Sequence, residues 1–285
     1  MTDFNILGNS GCDLKICHNN GVATVIKSTN DVYYLERLKF QHDKQKVFSK
    51  NNTLREVTTP EIINEVCEKT RYSFEMEFVN SLDFLSFIER ADINDVYKAI
   101  DMIVEYIDIN IKLSCMQTIG KDVIFNKYLN VKNIILKNGI LGFADIFADF
   151  ENRVKKLDNS INIPIGSCHG DLTLSNILIN KKKIVLIDFL DSFIESPLID
   201  IVKLRQDTKH AWIFNMVDFN VDYIKSIIAL EKIDNYIVNH FEKYNFYEYY
   251  AIFQQLNLLR IVPYAKQPSI IAFLNNELEK NIDYS

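Results

Sequence analysis

Apolar and polar positions change rhythm near residue 80 of the 285-residue chain. Before that point the apolar runs are short. Phe4 to Leu7 leads into Gly8-Asn9-Ser10-Gly11. Cys12 to His18 forms a second run and ends at Asn19-Asn20-Gly21, residues that tolerate positive φ and so predict a hairpin. Val22-Ala23-Thr24-Val25-Ile26-Lys27 is short and β-branched, which suits a strand. A helix is predicted over roughly Asp31 to Phe48, where Tyr34, Leu38, Gln41 and Gln45 share one face. Val57 to Ile63 reads as a strand interrupted by Pro60, hence an edge strand, and Tyr72 to Val79 alternates as another strand.

From Ser81 the period becomes helical. The longest predicted helix runs from about Ile93 to Ser114, with Ile93, Val96, Tyr97, Ile100, Ile103, Val104, Ile107 and Ile111 at three- and four-residue steps. One exception interrupts the helices. Between Ser167 and Phe189 lie two short apolar runs, Ile177-Leu178-Ile179 and Ile184-Val185-Leu186-Ile187, separated by Asn180 and three lysines as in a hairpin. The pattern predicts an α+β chain of two packed lobes with a cleft between them: a β-rich lobe over 1–79 and a mainly helical lobe over 80–285.

Composition narrows the classes. Hydrophobic residues make up 48% and charged residues 25%, as in soluble globular proteins. A formal net charge of -6 argues against nucleic-acid binding, which needs clustered positive charge. Cys12, Cys17, Cys67, Cys115 and Cys168 form no CxxC pair and read as reduced thiols. The N-terminus lacks the charged flank and apolar run of a signal peptide, and no apolar stretch approaches the ~20 residues that span a bilayer. The expectation is a cytoplasmic protein with no membrane, nucleic-acid or protein partner indicated.

The segment richest in chemistry is CHGDLTLSNILINKKKIVLIDFLDSFIESPLIDIVKL, Cys168 to Leu204. In it His169, Asp171 and Asn176 fall as H-x-D-x-x-x-x-N, and Ile187-Asp188-Phe189 follows the hairpin. Phosphoryl transfer to an alcohol needs a carboxylate near the hydroxyl and oxygen ligands for Mg²⁺ between phosphates. A loop carrying Asp171 and Asn176, with a hairpin that ends at Asp188, can gather three such oxygens at one edge of a cleft.

HGDLTLSNIL, LIDF and SPLIDIVKL resemble the aminoglycoside-phosphotransferase and choline-kinase families, small-molecule kinases of the protein-kinase-like fold. The resemblance implies that Asp171 is the catalytic base and that Asn176 and Asp188 hold Mg²⁺. It also implies that His169 packs in the catalytic loop and that Asp200 supports the loop's backbone. On the nucleotide side it implies that Lys27 binds ATP phosphates and pairs with an acid on the following helix, Glu36 or its rival Asp43. Gly8, Ser10 and Gly11 would form the turn over the phosphates, although the same residues suit a plain β-turn. Met76, Glu77 and Val79 match the hinge that holds adenine through backbone groups.

Asp191 and Glu195 are either solvated or near the substrate. Tyr244, Phe246, Tyr247, Tyr249 and Tyr250, read as an aromatic helix, either fill the core or line a pocket for a quaternary ammonium, and Trp212 shares that ambiguity. Leu190 stands where protein kinases have glycine after Asp-Phe. Only eight residues separate Asp188 from Pro197, too few for a long activation segment. Both departures favour a small hydroxyl acceptor, such as a sugar, amino alcohol or aminoglycoside, over a protein. The alternatives are a silent nucleotide-binding scaffold, against which the joint presence of Lys27, Asp171, Asn176 and Asp188 speaks, and a protein kinase.

Overall fold

Short β-branched runs divided by Gly and Asn build the first part of the chain into sheet. The computed structural model describes residues 4–6, 12–19, 21–216 and 222–282. Within them β1 (Phe4–Ile6), β2 (Asp13–Asn19) and β3 (Val22–Thr29) form an antiparallel meander. Gly21, at φ +81, supplies the left-handed residue of the β2–β3 turn. The helix α1 (Val32–Asn51) follows, capped by Asp31, whose carboxylate accepts from the Tyr33 N–H. Leu38, Gln41, His42 and Gln45 form its buried face. Leu38 packs with Cys12, Tyr72, Phe74 and Met76 into the core under the sheet.

Residues 57–63, expected as one edge strand, divide at Pro60. Val57–Thr58 (β4) and Ile62–Cys67 (β5) lie in different sheets. Pro60 has no N–H to continue a ladder, and its carbonyl instead accepts from Gln45 Nε2 at 2.9 Å. β5 pairs with β6 (Tyr72–Glu77), giving the sheet order β1-β2-β3-β6-β5. A second sheet, β4-β11-β10-β7, joins β7 (Leu82–Asp83), β10 (Ile177–Asn180) and β11 (Lys183–Leu186). The β10–β11 hairpin closes at Lys181, φ +57, so the lysine tip read from sequence is a tight turn.

The chain divides into two compact units, 1–106 with 169–191, and 107–168 with 192–285. The first also holds α2 (Phe84–Arg90), and α3 (Ile93–Leu113) begins in it. Val96, Ile100, Ile103 and Ile107 of the expected α3 stripe are buried, whereas Ile93, at the helix start, is exposed.

The second unit contains a β-ribbon that periodicity did not reveal, β8 (Cys115–Gly120) with β9 (Ser160–Ile165). Around it stand α4 (Lys121–Lys137), α5 (Ala144–Lys156), α6 (Pro197–Thr208), α7 (Tyr223–Phe241), α8 (Tyr250–Ile261) and α9 (Pro268–Glu279). α6 is buried over nearly its whole length and packs on α7 and α8. The expected aromatic helix is a 3-10 segment, Asn245–Tyr249, that leads into α8. The Arg205 guanidinium lies 4.3 Å from the Tyr250 ring centre and bonds the Tyr247 hydroxyl at 2.7 Å. The protein's own cation therefore takes the cation–π contact. Trp212 is buried, with its ring centre 6.1 Å from that of Phe273. All five cysteines are free, and among the described residues no helix is long and apolar enough to cross a membrane.

Candidate active site

The first unit brings together four of the polar residues singled out by sequence. Lys27 sits late in β3, opposite Leu14 and Phe74 in neighbouring strands, and is 3% exposed. Its Nζ meets Asp188 Oδ1 at 2.5 Å, across 161 positions of sequence. Asp188 leaves the hairpin in the left-handed region, φ +62, where a non-glycine residue is strained. Its side chain is 37% exposed, and only Oδ1 has a described partner. A buried ammonium and a half-solvated carboxylate thus neutralise each other.

Glu36 is exposed on α1 and has no described contact with Lys27. Asp43 bonds His42 Nδ1 at 2.9 Å. Among the described residues the partner of Lys27 is Asp188, so neither helix acid fills the position suggested for it. The physical reason lies in the face of α1: Leu38, Gln41, His42 and Gln45 turn inward, and Glu36 falls on the opposite side.

The loop before the hairpin is braced by its own backbone. Gly170 takes φ +85, and the Thr173 N–H donates to the Asp171 carbonyl at 2.7 Å. Asn176 spends both protons of its amide on Asp171, Nδ2 lying 2.8 Å from the carbonyl and 3.1 Å from Oδ2. Because both neighbours are acceptors, the amide orientation is forced and Asn176 Oδ1 is turned away as an available oxygen. Asp171 itself is half-buried. Hard cations such as Mg²⁺ are held by one or two protein oxygens plus those of substrate phosphates. Asp188 Oδ2 and Asn176 Oδ1 fit that donor set. Among the described residues no three His, Cys, Asp or Glu converge as an alternative metal cage.

His169 is fully buried. Its Nε2 lies 2.8 Å from the Ile187 carbonyl and its Nδ1 accepts from the Asp171 N–H at 3.2 Å, which defines the neutral Nε2–H tautomer. Burial pushes the imidazole down to about 4, the largest influence on it. The ring packs on Phe189 at a tilt of 35° with centres 4.3 Å apart, and Phe189 packs in turn on Phe48 of α1. The Leu190 N–H donates to the His169 carbonyl at 3.0 Å, and the Ile187 N–H to that of Asn176 at 3.0 Å. These bonds fix the loop against the residues around Asp188.

Sequence reasoning passed over Lys44, whose Nζ bonds the Leu190 carbonyl at 2.6 Å from α1. No motif marks such a contact, since it is made to a backbone atom 146 positions away. Met76 is buried in β6, the Glu77 N–H bonds the Glu61 carbonyl, and the Phe78 N–H bonds that of Ala23. Val79 follows the strand, with its carbonyl accepting from Ser81 Oγ at 3.3 Å. Gly8, Ser10 and Gly11 lie outside the described residues. Asp191 is exposed, with Arg37 at 3.7 Å. Glu195, in the second unit, accepts from Ser192 N at 2.8 Å and from the Cys168 thiol at 3.4 Å, so its carboxylate is committed locally. Asp200 is fully buried in the first turn of α6, whose N-cap is Ser196.

A β-rich first part, a helical second part and an Asp-Asn-Asp-Lys constellation define the α+β, protein-kinase-like fold. The family described as "Phosphotransferase enzyme family" (APH) matches residues 140–218, the stretch that carries the H-x-D-x-x-x-x-N loop and the Asp188 hairpin. The resemblance drawn from those residues is borne out there. Among solved structures, a thermostable variant of aminoglycoside phosphotransferase APH(4)-Ia superposes with a TM-score of 0.66 at 9% identity, covering 99% of this chain and 94% of that one. A Haemophilus somnus protein described as a fructosamine-3-kinase gives 0.65 at 13%, covering 99% and 92%. Spectinomycin phosphotransferase APH(9)-Ia, in complex with ADP and spectinomycin, gives 0.51 at 12%, covering 99% and 92%. At these identities the likeness is one of fold. No curated protein matches the sequence.

Proposed function

We propose that the protein is an ATP-dependent small-molecule kinase that transfers the γ-phosphoryl group to a hydroxyl. The observation that carries this reading is that one unit holds two contact pairs, Lys27 with Asp188 and Asn176 with Asp171. Lys27 would neutralise phosphate oxygens of the nucleotide, exchanging its Asp188 partner for them. Asn176 Oδ1 and the Asp188 carboxylate would hold Mg²⁺, which when bound spreads charge off the phosphates. Asp171, oriented by the Asn176 amide, would align the acceptor hydroxyl and receive its proton. His169 is neutral and internally bonded, so it positions Asp171 and takes no proton itself. Glu77 and Val79 would offer backbone groups to adenine, and Gly8, Ser10 and Gly11 would cover the phosphates.

The acceptor class follows from the short connection between Asp188 and Pro197, which leaves no room for a peptide-docking segment. Sugars, amino alcohols and aminoglycosides are the candidates, and the names of the fold relatives support the sugar and aminoglycoside part of that range. The test is ADP formation from Mg²⁺-ATP across a panel of these acceptors. A substrate-dependent signal should fall at least about 100-fold in Asp171→Ala while ATP binding persists. Turnover at the wild-type rate in that variant would remove Asp171 from its role, and failure of the wild type to bind nucleotide would remove the kinase reading altogether.

A further inference from the structure

The chain that leaves Asp188 is held along one side of α1. Arg37 Nε lies 3.7 Å from Asp191 Oδ1, Lys44 Nζ donates to the Leu190 carbonyl at 2.6 Å, and the Phe48 ring centre lies 5.2 Å from that of Phe189. Positions 37, 44 and 48 are seven and four residues apart, spacings that return to one side of a helix. The residues they reach, 191, 190 and 189, are consecutive and run the opposite way. All six belong to the first unit. We propose that Lys44 is a positioning residue for phosphoryl transfer, holding the backbone after Asp188 so that its carboxylate stays placed for the Mg²⁺–nucleotide. This role rests on the kinase reading of the site.

The three contacts are unequal. Arg37 and Asp191 are both about half-exposed, and an ion pair at that exposure is screened and worth little. The Phe48–Phe189 contact is apolar packing, which fixes a distance more than a direction. The Lys44 bond is directional, short and charge-assisted, the strong kind of hydrogen bond. It also completes Leu190, whose N–H donates to the His169 carbonyl at 3.0 Å while its carbonyl accepts from Lys44. One residue is thus held at both ends, by the catalytic loop and by α1.

Asp188 has need of that hold. A non-glycine residue at φ +62 persists where its surroundings over-determine it. Before it, the Ile187 N–H is bonded to the Asn176 carbonyl at 3.0 Å. Its side chain is tethered by Lys27 at 2.5 Å. In the proposed reaction Lys27 turns to the nucleotide phosphates, so this tether is given up just when the carboxylate is required. The Lys44 bond is made to the backbone two residues on, and that exchange leaves it intact.

Calorimetric titration of the intact protein with AMP-PNP, in Mg²⁺ and in chelator, tests the role, with thermal unfolding to confirm that each variant is folded. Lys44→Met should bind AMP-PNP about tenfold more weakly in Mg²⁺, the low end of what one hydrogen bond to a charged group supports. In chelator its affinity should stay within about twofold of wild type, because Lys44 touches Leu190 and not the nucleotide. Lys44→Leu, a second variant without the donor, should show the same loss. Lys44→Arg keeps a charged donor and should stay within about threefold. Lys46→Met, which removes an exposed charge from the same helix, should stay within about twofold. Asp188→Asn should lose the tightening that Mg²⁺ gives, and adding Lys44→Met to it should change nothing more, since Lys44 acts through Asp188. Weaker binding of Lys44→Met in chelator would overturn the proposal, because Lys44 would then meet the phosphates itself. So would a wild-type Mg²⁺ response in both Lys44→Met and Lys44→Leu, or a full further loss when Lys44→Met is added to Asp188→Asn. Failure of the wild type to bind AMP-PNP at all would instead remove the kinase reading, and this role with it.

Discussion

The Lys27–Asp188 pair is asymmetric, and the asymmetry predicts which half tolerates loss. Lys27 is 3% exposed, while the Asp188 side chain is 37% exposed. Removing the carboxylate strands a buried ammonium. Removing the ammonium leaves a carboxylate that water reaches. Breaking a buried pair from one side costs about 3–5 kcal/mol, a range lowered here to about 2–3 because Asp188 is partly solvated. Losing an exposed-type interaction costs about 0–1 kcal/mol, and Met in place of Lys27 keeps most of the packing volume. Asp188→Asn is the right replacement, since Asn accepts the left-handed backbone at φ +62 about as readily as Asp. For a chain of this size each kcal/mol moves the unfolding temperature by about 2 °C. Asp188→Asn should therefore unfold about 4–6 °C below wild type at pH 7, and Lys27→Met within about 2 °C of it. The double variant should lie near Lys27→Met, since no stranded charge remains. Thermal unfolding followed by circular dichroism reads all four proteins. The reasoning fails if Lys27→Met is the less stable single variant, or if Asp188→Asn matches wild type.

Other outcomes follow from the same contacts. His169 is held at about 4, below its unfolded value of 6.5, so it contributes stability that is complete above pH 6.5 and is lost as pH falls towards 4. The loss is about 2 kcal/mol by pH 5, and His169→Gln should flatten that part of the stability–pH curve; an unchanged slope would refute it. Ser196 caps α6 by accepting from the Leu198 N–H at 3.2 Å, so Ser196→Ala should cost about 1 kcal/mol in denaturant unfolding, and no measurable loss would count against the cap. Asn176→Leu removes both bonds to Asp171, and if they orient the base the variant should lower kcat more than it raises the KM for the acceptor.

Much of the first unit was readable because its signals are local. The turn expected at Asn19-Asn20-Gly21 falls where Gly21, at φ +81, leads into β3, the α1 face at Tyr34, Leu38, Gln41 and Gln45 differs from the buried set by Tyr34 and His42, and of the α3 stripe Val96, Ile100, Ile103, Val104 and Ile107 are buried. The misses share a cause. β8 and β9 pair residues 115–120 with 160–165, and nothing in either hexapeptide announces a partner some forty residues away. Pro60 was seen, but not that the strands on its two sides serve different sheets. The acid that pairs with Lys27 was sought on the next helix, where local spacing could rank Glu36 against Asp43. The partner is Asp188, which no local rule connects to β3.

That contact depends on how the second sheet is assembled. β11 carries the chain to Asp188 and pairs in parallel with β4, Ile184 and Val185 facing Val57 and Thr58. β10 carries it from Asn176 and pairs with β7, Leu178 and Ile179 facing Asp83 and Leu82. Two short segments on either side of the β5–β6 hairpin thus clamp the loop's hairpin into the same unit as β3. Parallel pairing needs a long connection and cannot arise between neighbours in sequence. The register of the β4–β11 pair therefore controls where Asp188 emerges relative to Lys27. Ile184, Val185 and Leu186 are all buried, so β11 is covered on both faces, and a slip of one residue would carry the exposed Lys183 to the buried position that Ile184 now holds. The burial of three consecutive apolar residues in a four-residue strand thereby sets the position of a charged group that lies outside it. This explains how a site so sparse in local signals keeps a defined geometry.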